Sequence, residues 1–199
     1  MDMRITAFWL AALALGQPCA SLAGAPDSTP PGALASPLAT PGASTLARLP
    51  AQWLDDQGQP LDLRSLADRR LVVTMAYATC HRVCPMTMHK LEALQGELDA
   101  AGAPATFIVV GYDPEQDDPA AWAQYRRERG LTRANWLFLT ARDPGQVRRF
   151  AQQLGFEFWR YDEHVMHDER VVVLAPGGAL QLVAGPGHDL HAQDLSTGT

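Results

Sequence analysis

Two cysteines separated by three residues, in the segment TCHRVCP, constrain this chain more than any other feature. Cys80 and Cys84 follow a short apolar run over residues 71–77, which predicts a buried central strand. Pro85 then opens a helix, because proline is favoured at the first helical position. Unpaired N–H groups at a helix N-terminus stabilise thiolates, the form of cysteine that binds metals and attacks disulfides. The pair is therefore suited to closing a disulfide or to binding one soft metal ion.

Strands and helices alternate along the chain, which predicts an α/β protein. The expected elements are a hairpin at 52–63, strands at 71–77, 106–110, 136–140, 156–161, 170–174 and 179–183, and helices that begin at Pro85, Pro119 and Pro144. The last two strands form a hairpin around the turn at residues 176–178. This order predicts a sandwich with a central mixed sheet, flanking helices and an N-terminal hairpin extension. The cysteine pair at the first strand-to-helix junction makes the predicted fold thioredoxin-like.

The N-terminus is typical of a secretory signal peptide. Arg4 precedes an apolar run at residues 7–15, too short to span a bilayer, and residues 21–23 predict cleavage before Gly24. An uncleaved anchor and a lipid anchor on Cys19 are the alternatives. We expect a signal peptide at 1–23, a disordered linker rich in Pro, Ala, Ser and Gly at 24–48, a folded domain at 49–186 and a flexible tail at 187–199.

The charge balance argues against nucleic acid as a partner. The formal net charge is −6, whereas phosphate binding needs clustered positive charge. We expect an exported, monomeric protein of the bacterial periplasm, soluble after cleavage or tethered by an uncleaved N-terminus.

A disulfide with a purely structural role is the simplest alternative for two cysteines in an exported chain. Such a bridge stabilises by restricting the unfolded chain, and this effect grows with the length of the enclosed loop. Only three residues separate Cys80 from Cys84. The short loop therefore favours a redox-active or metal-binding pair.

Two thiolates do not complete a metal site, so a histidine is the expected third ligand. The candidates are His81, His89, His164, His167, His188 and His191. In a thioredoxin-like fold, the loop before the strand at 170–174 packs beside the cysteines. Geometry therefore favours His164 or His167 without choosing between them.

Four segments of the chain share their motifs with one known family. They are residues 52–77, the CxxxCP motif of Cys80 and Cys84, the segment GYDPEQD at 111–117, and VMH at 165–167 before VVVLAPGG. Together they resemble the SCO/SenC family of copper-binding proteins linked to cytochrome c oxidase assembly. The resemblance covers most of residues 49–185. In this family a histidine stands shortly before a strand and a Pro-Gly turn, and that register selects His167 over His164.

The resemblance implies that Cys80, Cys84 and His167 bind copper. Two thiolates and one imidazole suit trigonal Cu(I), or Cu(II) with a further ligand, whereas Zn(II) prefers four ligands. The chain departs from the family at His81, where a proline is usual, and this histidine is a further candidate ligand. The thioethers of Met86, Met88 and Met166 are others, although methionines more often fill cores. Asp113 and Asp117 are expected to shape the loop beside the site.

The resemblance, taken together with these ligands, implies one of two functions. The first is a metallochaperone that delivers copper to the copper-centre subunit of cytochrome c oxidase, or to another periplasmic copper protein. The second is a thiol–disulfide oxidoreductase that keeps copper-site cysteines reduced. Dedicated thioredoxin-type reductants use CxxC and a cis-proline, whereas this chain has CxxxC and no proline in EHVMHDER. A peroxidase of peroxiredoxin type is disfavoured, because Thr79 and Arg82 are wrongly spaced. The sequence therefore favours the metallochaperone.

Overall fold

The computed structural model describes residues 44–79, 83–162 and 164–196, without the side chains of Val83, Cys84, Pro85, Arg160 and His164. The expected signal peptide, nearly all of the expected linker, Cys80 and His81 lie outside the described residues. None of the helices in these ranges is long and apolar enough to cross a membrane.

The described residues contain nine strands and five α-helices. The strands are β1 Gln52–Asp55, β2 Pro60–Asp62, β3 Leu71–Ala76, β4 Thr106–Gly111, β5 Trp136–Thr140, β6 Phe158–Tyr161, β7 His164–His167, β8 Val171–Leu174 and β9 Leu180–Ala184. The helices are α1 Thr45–Arg48, α2 Val83–Ala100, α3 Pro119–Arg129, α4 Pro144–Leu154 and α5 Ala192–Ser196. A 3₁₀ turn, Leu63–Leu66, follows β2.

The main sheet is mixed, as the sequence predicted. Its seven strands lie in the order β2-β1-β5-β4-β3-β8-β9. The central strands β3, β4 and β5 are parallel, and the remaining pairs are antiparallel. The carboxyl ends of β3 and β4 therefore open at the same edge of the sheet, which is where ligand sites form in α/β proteins.

Both faces of the sheet are covered, which explains why β3 and β4 are buried at every residue. Alternate side chains of these strands enter two separate cores. Val73 and Ile108 face α4, whose Phe150 is fully buried. Val72 and Phe107 face the core that contains the predicted apolar stripe of α2: Leu91, Leu94 and Leu98. The continuous apolar runs in the sequence thus follow from burial on two sides.

The residues predicted to begin and end α3 and α4 lie at the ends of these helices. Asp118 caps α3 by accepting a hydrogen bond from the N–H of Ala121, and Asp143 caps α4 in the same way. Gly130 and Gly155 end these helices with φ of 68° and 75°, a conformation that favours glycine.

The C-terminal segment differs from the flexible tail expected at 187–199. Residues 192–196 form α5, and Leu195 is fully buried against the core beneath α2. Gln181 Nε2 donates to the carbonyl oxygen of Leu195 at 2.8 Å. Only two leucines in this segment are buried, Leu190 and Leu195, too few to produce a periodic signal in the sequence. The N-terminal boundary also differs, because Leu46 of α1 is buried and its N–H donates to the carbonyl oxygen of Gly178 at 3.0 Å.

Candidate functional site

The predicted cysteine pair falls at the junction of β3 and α2. Helix α2 begins at Val83, two residues before the predicted start at Pro85, and Cys84 therefore lies in its first turn. A proline is tolerated there because the first N–H groups of a helix have no partner within it. Cys80 and the side chain of Cys84 lie outside what the structure describes, so their sulfur positions remain predictions.

Asp117 holds the β3–α2 loop against the loop that follows β4. Its carboxyl is buried, and Oδ1 accepts a hydrogen bond from the N–H of Ala78 at 2.7 Å. Oδ2 accepts from the N–H of Asp113 at 2.8 Å. Burial raises the pKa of Asp117 to about 7, although these backbone hydrogen bonds act in the opposite direction. The expectation that Asp117 shapes the loop beside the cysteines agrees with these contacts.

Gly111 makes this arrangement possible. A Cβ at this position would lie 2.5 Å from Cβ of Asp117, closer than two carbon atoms can approach without displacement. The backbone at the end of β4 therefore packs directly against Asp117. The segment GYDPEQD thus contributes a close backbone approach as well as the aspartates Asp113 and Asp117.

His167 is the last residue of β7, in a separate two-stranded sheet formed by β6 and β7. It is paired with Phe158 in the register of that sheet. The half-buried imidazole stacks on the ring of Tyr112, with centroids 4.8 Å apart. Tyr112 also contacts Phe158, with centroids 5.1 Å apart. Tyr112 directly follows β4, so this aromatic group links the histidine strand to the central sheet.

One hydrogen bond indicates the tautomer of the neutral His167 ring. Nδ1 lies 2.8 Å from the carbonyl oxygen of Asp168. A carbonyl oxygen only accepts hydrogen bonds, so Nδ1 carries the proton and the neutral ring has its lone pair on Nε2. Metal-binding histidines are commonly oriented by this kind of bond. The His167 imidazole is therefore suited to act as a ligand through Nε2.

The other candidates among the described residues have different environments. His89 and His191 lie near carboxylates, Glu92 at 3.4 Å and Glu97 at 2.9 Å. Met88 is buried in the core, whereas Met86 and Met166 are exposed. Among the residues and side chains that the structure describes, no group of three His, Cys, Asp or Glu residues is placed to hold a metal ion.

The profile of the SCO1/SenC family matches residues 45–193. The chain belongs to the SCO1/SenC family. The match extends from α1 into α5 and so includes both the junction that carries the cysteines and the strand that carries His167. This match confirms the family resemblance that the sequence motifs indicated.

Matches to this SCO1/SenC chain include proteins that are distant from it in sequence. A protein of Stutzerimonas stutzeri named "Putative copper-binding protein" is 24% identical over 136 residues, which cover 65% of each chain. The chain therefore spans slightly less than two thirds of that relative. Arabidopsis thaliana ScoI, solved with copper bound, has a TM-score of 0.63 at 19% identity and covers 70% of this chain and 88% of its own.

A second solved structure is BsSco, described as a member of the Sco family of cytochrome c oxidase assembly proteins with a disulfide switch. Its TM-score is 0.66 at 20% identity, covering 75% of this chain and 89% of its own. At such identities the two solved structures establish the fold alone. They confirm the predicted thioredoxin-like α/β class.

The sequence missed Tyr112 as a neighbour of the predicted ligand. It also placed His167 in a loop, whereas the residue ends a strand. An aromatic residue directly after a buried strand was the available signal for Tyr112. Its contact with His167 depends on a hairpin about fifty residues later, which no local pattern indicates.

Proposed function

We propose that this protein is an exported copper metallochaperone, which binds copper through Cys80, Cys84 and His167 and delivers it to the copper centre of cytochrome c oxidase. The observation that carries the proposal is the 2.8 Å contact from His167 Nδ1 to the carbonyl oxygen of Asp168. This contact orients the neutral imidazole so that Nε2 is the nitrogen able to bind a metal ion. The family membership supports copper as the cargo.

The proposed donor set suits the handling of copper. Thiolates are soft ligands that select Cu(I), and one imidazole completes a trigonal site. Cys84 lies in the first turn of α2, where the helix dipole favours the thiolate. Copper bound by three ligands is open to attack by a ligand of the recipient, which allows transfer by ligand exchange. The disulfide form of the pair has no thiolate to offer, so loading requires prior reduction.

Metal analysis after anaerobic Cu(I) loading of the reduced chain from Gly24 tests this function. We expect one copper per chain, and a loss of affinity of at least about tenfold in His167→Ala, measured by competition with a chromogenic chelator. His164→Ala is the matched control from the same strand, and its affinity should stay at the wild-type value. Equal copper retention by the His167→Ala protein would remove His167 from the site.

The alternative is a thiol–disulfide oxidoreductase that acts on copper-site cysteines. The position of Cys84 in the first turn of α2 favours this chemistry as well, since a stabilised thiolate is also a good leaving group. An insulin-reduction assay separates the two functions. Turnover at thioredoxin-like rates by the copper-free protein would replace the metallochaperone as the primary function.

A further inference from the structure

The three residues between β7 and β8 are each held by a different part of the fold. The N–H of Asp168 donates to the carbonyl oxygen of Glu157 at 3.0 Å. The carbonyl oxygen of Arg170 accepts from Thr74 Oγ1 of β3 at 2.8 Å, and Arg170 Nε donates to Asp168 Oδ2 at 2.8 Å. These bonds fix the two ends of the connection that follows His167.

The middle residue, Glu169, reaches a different element. Its Oε1 accepts a hydrogen bond from Lys90 Nζ at 2.9 Å. Lys90 lies on α2, six residues after Cys84, a rise of about 9 Å along the helix axis. The ion pair therefore joins the helix that carries one predicted thiolate to the connection that follows the predicted imidazole ligand.

This ion pair is partly shielded from solvent. The side chains of Lys90 and Glu169 are 31% and 21% exposed, so water and salt screen the pair less than an exposed one. Lys90 Nζ also lies 3.2 Å from Asp189 Oδ1 in the C-terminal segment. One ammonium group thus contacts both the connection after His167 and the segment that precedes α5.

We propose that Lys90 is a positioning residue for the metal site: it holds the connection after His167 against α2 and so sets the distance between the imidazole and the thiolates. This inference rests on the proposed function. The ligands of a metal site must be held to about 0.5 Å by the groups around them. Glu169 is two residues from His167, so the Lys90–Glu169 pair acts close to the ligand without touching it.

Two substitutions each remove one charge of the Lys90–Glu169 ion pair. Lys90→Met keeps the length of the side chain without its charge, and Glu169→Gln keeps its shape. Each should lower the Cu(I) affinity by about tenfold, the size typical of groups that orient a metal ligand. The double variant should lose no more Cu(I) affinity than either single variant, because each substitution removes the same interaction. Lys90→Arg should retain most of the wild-type affinity.

A matched control comes from the far end of α2. Arg133 Nη1 and Asp99 Oδ2 of α2 form an ion pair at 2.6 Å. Arg133→Met removes this pair and should leave the copper affinity unchanged. Asp189→Asn should also leave it close to the wild-type value, because the contact of Asp189 with Lys90 does not involve the connection after His167.

Hydrogen exchange of the copper-free protein gives a second readout that does not depend on metal binding. Backbone amides over residues 164–170 should exchange faster in Lys90→Met than in the wild type, and those of Arg133→Met should not. A folded Lys90→Met protein with wild-type affinity and wild-type exchange would overturn the inference and leave the proposed function standing. A wild-type protein that binds no copper would overturn the proposed function. Should Lys90→Met fail to fold, Glu169→Gln provides the same comparison while retaining the contact between Lys90 and Asp189.

Discussion

The imidazole of His167 lies against the ring of Tyr112 at an angle of 27° between their planes. Tyr112 is itself buried, directly after the central strand β4. The predicted ligand is thus supported on one side by a buried ring at the end of β4 and oriented on the other by the carbonyl oxygen of Asp168. Phe158 and His167 both contact Tyr112, so the two-stranded sheet of β6 and β7 is held beside the end of β4.

Replacing Tyr112 by leucine should therefore weaken copper binding. Loss of the flat surface lets the His167 ring turn, and we expect the Cu(I) affinity to fall by about tenfold. Tyr112→Phe keeps the stacked ring, and its Cu(I) affinity should stay within about threefold of the wild-type value. Chelator competition on the reduced proteins measures both. Equal affinities for the leucine and phenylalanine variants would contradict a supporting role for the ring.

Gly111→Ala should destabilise the protein. The new Cβ would lie 2.5 Å from Cβ of Asp117, and Asp117 cannot move without losing its bonds to the N–H groups of Ala78 and Asp113. We expect a cost of about 1–3 kcal/mol in the free energy of unfolding, as for overpacked sites. Urea denaturation measures the difference.

Gly96→Ala is the matched control for this change. Gly96 lies inside α2, and among the described residues no atom outside the helix backbone lies within 4 Å of an added Cβ. Alanine should therefore stabilise the protein by about 0.5–1 kcal/mol, because it loses less backbone entropy on folding. A Gly111→Ala protein as stable as Gly96→Ala would show that the loop yields to the new methyl group.

The buried carboxyl of Asp117 predicts a distinct pH dependence. Its pKa is about 7 in the folded protein and about 4 in the unfolded chain, so the folded state holds its proton more tightly. The stabilisation is complete below pH 4 and is lost as the pH rises through 7. The total loss is up to about 4 kcal/mol. Asp117→Asn removes this dependence.

Denaturation midpoints at pH 5 and pH 8 test this expectation. The stability of the wild type relative to Asp117→Asn should be greater at pH 5 than at pH 8. Asp118→Asn, at the exposed N-cap of α3, provides the control, because asparagine also caps helices. A wild-type advantage over Asp117→Asn that stays the same at both pH values would show that the carboxyl is ionised throughout.

The C-terminal segment should contribute to stability. Leu195 is fully buried, and Leu195→Ala should lower the free energy of unfolding by about 2–5 kcal/mol, the usual cost of a large-to-small change in a core. The neighbouring Ser196 is exposed, and Ser196→Ala should change stability by less than about 0.5 kcal/mol. Thermal or urea unfolding compares the two. Equal stabilities would mean that residues 187–196 behave as the flexible tail expected from the sequence.

Local features of the fold were predictable because their causes lie within a few residues. The apolar runs of β3 and β4, the Asp-Pro starts of α3 and α4 and the glycines that end those helices all occur where expected. The N-terminus of α2 was predicted to within two residues. Family motifs then selected His167 over His164, a choice that geometry had left open.

The sequence by itself determined that a cysteine pair lies where a buried strand leads into a helix, in an α/β fold with a mixed sheet. Only the tertiary structure decided what surrounds His167. The ring of Tyr112, the carbonyl oxygen of Asp168 and the ion pair of Lys90 with Glu169 provide the surroundings. The contacts of Tyr112 with His167 and of Lys90 with Glu169 each join residues more than fifty positions apart. Such contacts depend on how separate elements pack, and no periodic or local pattern in the chain specifies that.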